Sequence, residues 1–352
     1  MSRSEHTQHM EQHPRWHDWR WQMRHAVTGH KADLAAFGVS EDVLEQVHRR
    51  YPIRISPYAL SLLDPSNPRD PLNLQALPSA QELSDTAPDV ADDPFGERSE
   101  AACCHGLIRR FPDRVLVMAH DRCAMTCRHC TRKNLLPDAD VIRTPDQLAA
   151  AADWARAHPE IREVLISGGD PLLLSDQRVR SFVKAFADLP QIDAVRIGTR
   201  VPVTLPMRVT PALTAALGKS RKVWINTQFN HAREITPEAA TACARLADAG
   251  IPLSNQSVLL KGVNDSTEAL FELCAGLQRI RVRPYYIFMC DPVKGTSHFR
   301  VPLAKARRLE RELAERIGGL ALPRFVIDLP GSYRKTPIGE SLRPGSAPCR
   351  PR

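Results

Sequence analysis

The sequence has no long hydrophobic run and few aromatic residues. Nothing in its 352 residues approaches the run of about 18 apolar residues that a membrane-spanning helix needs. The N-terminal stretch, MSRSEHTQHMEQHPRWHDWRWQMRH, lacks the apolar segment of a secretory signal, so we expect a cytoplasmic protein with no membrane partner. Aromatic residues are only 6% of the chain, whereas its 29 prolines exceed the usual share of about 5%.

Common nucleotide and metal motifs are also missing. The chain has no dinucleotide-binding glycine fingerprint, no P-loop and no HExxH helix, which excludes those classes. Its net charge of +8 would indicate nucleic-acid binding only if the bases were concentrated on one face. The densest basic stretch, Arg15 to Arg24, interleaves Trp16, Trp19 and Trp21. We interpret it as a helix that docks its tryptophans on the core, with a binding surface as the alternative.

The chain changes character along its length. Residues 1–65 predict an N-terminal helical region, residues 66–106 an irregular connection rich in Pro and Asp, and residues 341–352 a disordered tail. Between 107 and 340, short β-branched runs alternate with amphipathic segments. The runs are VLVMA at 115, EVLIS at 163, AVRIG at 194, KVWIN at 222, IPLSNQSV at 251, RPYYIF at 283 and RFVID at 324. This alternation predicts an α/β fold, a full or partial barrel with its chemistry at the carboxyl ends of the strands.

Three of the nine cysteines are clustered directly after the first predicted barrel strand. Cys123, Cys127 and Cys130 are spaced C-x3-C-x2-C, so one loop can wrap one metal centre. A structural zinc site usually has a fourth Cys or His ligand. A 4Fe–4S cluster has four irons, so three thiolates leave one iron open for a ligand that is not protein. We favour the cluster, with a zinc site and buried structural thiols as the alternatives.

The cysteine spacing resembles the radical S-adenosylmethionine (SAM) superfamily. This resemblance implies a partial (β/α)6-type barrel and SAM bound at the open iron. After the next strand, Ser167, Gly168, Gly169 and Asp170 resemble the superfamily's motif for the SAM amino group, and two glycines allow close backbone approach to a ligand. Gln256 is a polar residue within an apolar strand, which indicates a lined cavity.

Further segments resemble one family within this superfamily, the lysine 2,3-aminomutases. They are CRHCTRK, LISGGDPLL, RIGTRVPVTLPMRVTPAL, VWINTQFNHAREITPEA, LSNQSVLLKGVND, RVRPYYIFMCDPVKGTSHFR and VIDLPGSYRKTP. The family holds pyridoxal phosphate (PLP) as well as SAM and moves an α-amino group to the neighbouring carbon. The resemblance implies that Lys335 anchors PLP and that Arg110 and Arg114 bind its phosphate, to which the arginine fork is suited.

The resemblance also implies how the substrate is held. Arg132 corresponds to the arginine that pairs with the substrate carboxylate, and Asp291 and Asp328 to the carboxylates that bind its distal ammonium. Two aspartates at one place repel unless a cation lies between them. We therefore expect L-lysine to be converted to β-lysine. Arginine or ornithine as the substrate, and the branch that makes β-lysine for elongation factor P, are the alternatives.

The chain departs from the family pattern at several positions. Ser266 replaces a cysteine that binds structural zinc in longer members, and the tail has only Cys349, so we expect no zinc and a different oligomer. Gln228 replaces a histidine near SAM, and Phe288 replaces a tyrosine near the substrate. Ser332, Tyr333 and Arg334 follow Gly331 where the family's PLP loop is glycine-rich.

The expected partners are a small amino-acid substrate and an electron donor such as flavodoxin or ferredoxin. A homo-oligomer is also expected, and nucleic acid is not. The rival from another class is a zinc-stabilised RNA-binding protein, which would use the +8 charge.

Overall fold

A computed structural model describes residues 11–29, 34–98, 102–104, 106–135 and 142–340. The tail predicted to be disordered, residues 341–352 with Cys349, lies outside these ranges. Within them, no helix combines the length and the apolar character needed to cross a membrane.

Ten strands form one sheet in chain order. They are β1 (Ala102–Cys104), β2 (Leu107–Phe111), β3 (Arg114–His120), β4 (Glu163–Gly168), β5 (Ala194–Gly198), β6 (Val223–Thr227), β7 (Leu253–Leu259), β8 (Arg283–Met289), β9 (Arg324–Asp328) and β10 (Lys335–Pro337). Strands β3 to β9 are parallel, whereas β1, β2 and β10 pair antiparallel at the edges. In the described residues the two edge strands do not pair, so the sheet is an open, partial barrel.

The seven parallel strands coincide with the seven runs predicted from the sequence, which confirms the α/β fold. The sequence did not indicate β1, β2 or β10. These are short strands in antiparallel pairs near the two edges of the sheet, and they lack the continuous apolar run of a strand that is buried on both faces.

Helices connect the parallel strands and build the N-terminal region. Their bounds are Trp19–Arg24, Glu41–Arg50, Pro57–Ser61, Pro71–Ala76, Pro145–Arg156, Asp176–Ala187, Val201–Thr204, Pro211–Leu217, Pro237–Asp248, Thr267–Arg279 and Leu303–Arg316. Thr144 caps one of them by accepting from the Gln147 amide, and Pro145 fills the first helical position. Thr210 and Thr236 cap the helices that follow them, again with proline first. Part of the proline excess is therefore explained, because proline suits the first helical turn.

Alternation along the strands separates the core from the inner face of the sheet. Val164, Ile166 and Val195 are buried in the main hydrophobic core with the surrounding helices. Leu165 and Arg196, the neighbours of these residues along the strands, line a cavity on the inner face. Each of these strands therefore buries one set of side chains in the hydrophobic core and points the alternate set into the cavity.

The N-terminal region packs on the barrel through its tryptophans. Trp16 and Trp21 are 7% and 5% exposed and lie in one cluster with Tyr58 of the same region, against which Met207 of the barrel packs. The prediction of a helix over Arg15 to Arg24 that docks its tryptophans is confirmed in part: Trp16 and Trp21 are buried, but the helix begins only at Trp19.

The connection has more regular structure than its composition indicates. Asp70 caps the helix Pro71–Ala76, and Ser79 caps a turn of 3-10 helix at Ala80–Glu82. Capping by Asp and Ser side chains stabilises these short helices, although the segment lacks the apolar periodicity that predicts a helix.

The N-terminal region also pairs with the cysteine loop. The Ser56 amide donates to the Ala124 carbonyl at 2.9 Å, and the Thr126 amide donates to the Arg54 carbonyl at 2.9 Å. These backbone hydrogen bonds hold the loop between Cys123 and Cys127 against the N-terminal region.

Candidate active site

One cavity of about 340 Å³ lies on the inner face of the sheet, towards the carboxyl ends of the parallel strands. All the site residues predicted from the sequence line it. They are Arg110, Arg114, Cys123, Cys127, Cys130, Arg132, Ser167, Gly168, Gly169, Asp170, Gln256, Asp291, Asp328 and Lys335. Residues up to 225 positions apart in the chain (Arg110 to Lys335) therefore meet at one place.

The three cysteines lie at one side of this cavity with thiols that are not in disulfides. The Arg132 amide donates to the Cys130 sulfur at 3.3 Å, and the Arg200 guanidinium donates to the Cys127 sulfur at 2.8 Å. Burial raises the pKa of the Cys130 thiol to about 11. A cation beside this thiol favours its thiolate form. A set of three thiols is a soft donor set of the kind that iron–sulfur clusters and zinc prefer.

Gly168 and Gly169 bring the end of β4 into contact with the start of the cysteine loop. The Gly169 amide donates to the His120 carbonyl at 2.6 Å. A Cβ on Gly168 would lie 2.2 Å from the His120 oxygen, and a Cβ on Gly169 would lie 2.2 Å from the Arg122 oxygen. The sequence predicted glycine here for close approach to a ligand, but the backbone of the neighbouring loop occupies the space of both missing side chains.

Replacing Gly169 by alanine is therefore expected to displace the cysteine loop. We expect a loss of about 1–3 kcal/mol in the free energy of unfolding, as for overpacked sites, together with reduced iron loading. Urea unfolding of the metal-free protein and iron analysis measure both. Gly318→Ala is the control, because no atom lies within 4 Å of a Cβ at Gly318. Wild-type stability and iron content in Gly169→Ala would contradict this packing argument.

Asp170 holds strands β4 and β5 together at the edge of the cavity. Its carboxylate accepts from the Thr199 hydroxyl at 2.7 Å, the Arg200 amide at 2.6 Å and the Leu172 amide at 3.2 Å. Both of its oxygens are thus bound by protein donors. Asp170 therefore positions the residues around it, whatever contact it makes with a ligand.

Asn226, at the end of β6, presents an unsatisfied donor to the cavity. The residue is 6% exposed, and its Nδ2 has no hydrogen-bond partner in the part of the chain that the structure describes. Because an unpaired buried donor costs about 1–3 kcal/mol, this nitrogen fits a ligand that supplies an acceptor. Asn226 was not predicted from the sequence, although its place at a strand end was the available signal.

Lys335 lies at the other side of the cavity. It is directly opposite Asp328 in the β9–β10 pair, and its ammonium forms an ion pair with the Asp328 carboxylate. Arg110 donates to the same carboxylate at 3.0 and 3.2 Å. The ammonium is also 5.1 Å from the ring centres of Phe111 and Phe288. Burial lowers the pKa of Lys335, although Asp328 opposes this shift.

Asp291 and Arg132 complete the group predicted to bind substrate. Asp291 accepts from the Thr131 hydroxyl at 2.6 Å. Burial, with a contribution from the negative charge of Asp328, raises the pKa of Asp291 to about 6. Arg132 is paired with Glu97 at 2.6 and 2.9 Å, a partner that the sequence did not indicate.

Arg114 and Gln228 also line the cavity, but each contacts a protein group. Arg114 donates to Asp113 at 2.9 Å. The Gln228 side chain lies 3.3 Å from His129 Nε2, so the replacement of histidine keeps a polar contact there.

Comparison with known proteins identifies the family. A model described as "Radical SAM superfamily" matches residues 117–274. L-lysine 2,3-aminomutase of Clostridium subterminale is 44% identical over 326 residues, which are 92% of this chain and 78% of that protein. The enzyme of the same name from Acetoanaerobium sticklandii is 43% identical with the same coverage. Glutamate 2,3-aminomutase of Clostridioides difficile is 36% identical over 328 residues, 92% of this chain and 76% of that protein.

The chain belongs to the lysine 2,3-aminomutase family of radical SAM enzymes. The resemblance stated from its sequence is confirmed, and the chain is an isomerase that acts as an aminomutase.

The residues present fit the 4Fe–4S cluster and SAM that membership in this family implies. Cys123, Cys127 and Cys130 supply the thiol donors, and the unpaired Nδ2 of Asn226 is available to a polar ligand in the same cavity. Together the cluster and SAM supply the 5′-deoxyadenosyl radical that starts the reaction in this superfamily. The protein's part is to orient the reactants and to exclude water and oxygen.

Arg200 is the main residue of this site that the sequence analysis missed. Besides Cys127, its guanidinium donates to Gln75 and Glu234 at 2.6 Å each, and to the Gln228 carbonyl at 3.0 Å. Its place directly after β5 was the only signal available, because its acceptors come from three other segments.

Proposed function

We propose that this chain converts L-lysine to β-lysine by moving the α-amino group to C3, with PLP held at Lys335. The observation that carries the proposal is that Asp291 and Asp328 line the same cavity, at the carboxyl ends of the neighbouring strands β8 and β9. Burial raises the pKa of Asp291, and the negative charge of Asp328 contributes to this shift. The two carboxylates therefore require cations, and a substrate with a side-chain ammonium supplies one. A substrate with a side-chain carboxylate, as in glutamate, would add a third negative charge.

The cations now at Asp328 are compatible with this role. Arg110 and Lys335 neutralise Asp328 in the structure. We assign the phosphate of PLP to Arg110 and Arg114, and an anion there competes with Asp328 for Arg110. Asp328 then loses Arg110 as a partner, and this loss favours a cationic substrate. PLP supplies a π-system that carries the migrating nitrogen and stabilises an unpaired electron.

The bulky residues of the PLP loop, residues 331–334, are compatible with a PLP anchor at Lys335. Arg334 pairs with Glu340, and the Arg334 side chain is largely exposed. The Ser332 hydroxyl donates to the Arg334 carbonyl at 3.0 Å, which closes the turn locally. The loop therefore directs the bulk of Arg334 to solvent.

We assign the α-carboxylate of the substrate to Arg132. Glu97 binds Arg132 through Nε and Nη2, so Nη1 is the nitrogen that we propose for the substrate. Asp291 and Asp328 then hold the side-chain ammonium of the substrate. Binding at both ends fixes the carbon chain between them, which is the positioning that a radical reaction needs.

An assay with stepwise omissions tests this function. Anaerobically purified protein is loaded with iron, sulfide and PLP, and is given SAM, lysine and a reductant. We expect β-lysine, detected by mass spectrometry, and none when SAM or PLP is left out. Reduced flavodoxin or ferredoxin is expected to replace the chemical reductant. A fully loaded protein that forms no β-lysine would refute the proposal.

A further inference from the structure

The cysteine loop carries buried positive charges around its ligands. Arg128 and Lys133 lie on either side of Cys130, and they are 2% and 4% exposed. Two buried cations in one short loop repel each other, and each also loses the solvation of water. A buried anion that compensates these charges stabilises the loop.

Glu82 of the connection supplies that anion. It is 1% exposed and binds both cations. Arg128 Nε donates to each of its carboxylate oxygens at 3.1 Å, and the Lys133 ammonium forms a second ion pair with it. The Glu82 carboxylate also accepts from the Ser79 amide at 2.8 Å, which fixes it in the connection.

Further contacts converge on the same two cations. Arg128 donates to the Pro52 carbonyl at 3.0 Å, and its amide donates to the Gln75 carbonyl at 2.9 Å. The Lys133 ammonium donates to the Arg128 carbonyl at 2.9 Å, so the two ends of the turn around Cys130 are tied together. Glu82 is the one charged acceptor shared by both ends among the described residues.

We propose that Glu82 is a positioning residue for the iron–sulfur cluster. It holds the cysteine loop closed by neutralising Arg128 and Lys133, and it sets the charge of the cluster's surroundings. Loss of the Glu82 charge leaves two cations that push the turn around Cys130 apart. This role does not depend on PLP or on which amino acid is the substrate.

The test compares Glu82→Gln with Asp70→Asn. Asp70 is a matched control because it is also a buried carboxylate of the connection and is ion-paired, but with Arg233. After anaerobic reconstitution, the loss of iron to a chelator is followed by the visible absorbance of the cluster. Glu82→Gln is expected to lose its cluster about 10-fold faster than wild type, within the usual range for residues that orient metal ligands. Asp70→Asn is expected to keep the wild-type rate.

The reduction potential of the cluster separates this role from general destabilisation. Glu82→Gln removes a negative charge and is expected to raise the potential, because nearby positive charge favours the reduced cluster. Lys133→Met removes a positive charge and is expected to lower it. A role confined to folding would not produce shifts of opposite sign.

If Glu82→Gln does not fold, Lys133→Met tests the same proposal. It keeps the Glu82–Arg128 pair but releases one end of the turn, so we expect cluster loss faster than in Asp70→Asn and a lower potential. Equal rates of cluster loss in Lys133→Met and Asp70→Asn would overturn the proposal. So would shifts in potential of the same sign in Glu82→Gln and Lys133→Met.

Discussion

Lys335→Ala is expected to lower turnover of lysine by about 10³-fold or more, because it removes the amine to which we assign PLP, and loss of one member of a catalytic unit costs several orders of magnitude in rate. Among the described residues, Lys335 is the one lysine that lines the cavity. The variant is expected to purify with wild-type iron content but without bound PLP. Absorbance spectroscopy and peptide mass spectrometry after borohydride reduction measure the PLP, with a pyridoxyl group at Lys335 expected in the wild type.

Lys305→Ala is the control for this substitution. Lys305 also pairs with an aspartate, Asp265, but it does not line the cavity. It is expected to keep its PLP and its turnover. Retention of PLP and activity in Lys335→Ala would remove Lys335 from its proposed role.

Asp291→Asn is expected to lower kcat/KM for lysine by on the order of 10²-fold. Removal of one member of a buried charge pair costs about 2–5 kcal/mol, because the other charge is left without a partner. The Thr131 hydroxyl can still donate to an amide oxygen at this position, so the variant is expected to fold and to load cluster and PLP. Wild-type kinetics in Asp291→Asn would exclude Asp291 from the substrate site.

The same residue predicts a dependence on pH. The pKa of Asp291 rises from its ordinary value of 3.8 to about 6 when the protein folds. Binding of a cationic substrate requires the ionised form, so kcat/KM for lysine is expected to fall as the pH drops below about 6. This fall is expected to be absent from the residual activity of Asp291→Asn.

The free energy of unfolding is expected to depend on pH in the opposite direction from kcat/KM, because it falls as the pH rises. Because the folded-state pKa is raised, ionised Asp291 opposes folding, and this cost appears between pH 4 and pH 6 and stays above it. In the absence of substrate, Asp291→Asn is expected to be more stable than wild type at pH 7.5 by about 3 kcal/mol. The difference is expected to vanish near pH 4. Urea unfolding at both pH values measures it, and equal stability at pH 7.5 would contradict this account.

The sequence was most informative where function depends on local spacing. The cysteine triplet, the glycines after β4 and the β-branched runs of the parallel strands each occupy one short segment, so the pattern alone indicates them. Buried parallel strands are also the easiest to recognise, because both of their faces require apolar side chains.

The partners of the charged residues could not be predicted in this way. Glu82 and Arg128 are 46 residues apart, Glu97 and Arg132 are 35 apart, and Arg200 and Cys127 are 73 apart. Each of these acidic residues lies in a connection whose composition indicates a solvated loop. Only the fold buries them against the cysteine loop, where an unpaired charge is costly.

The central claim is that the pair of carboxylates selects a cationic amino acid. A competition assay tests it directly: fully loaded enzyme with SAM and reductant receives equal amounts of lysine, ornithine, arginine and glutamate, and mass spectrometry identifies the β-isomers. The account predicts β-lysine as the main product and no β-glutamate. Formation of β-glutamate as the main product would contradict it.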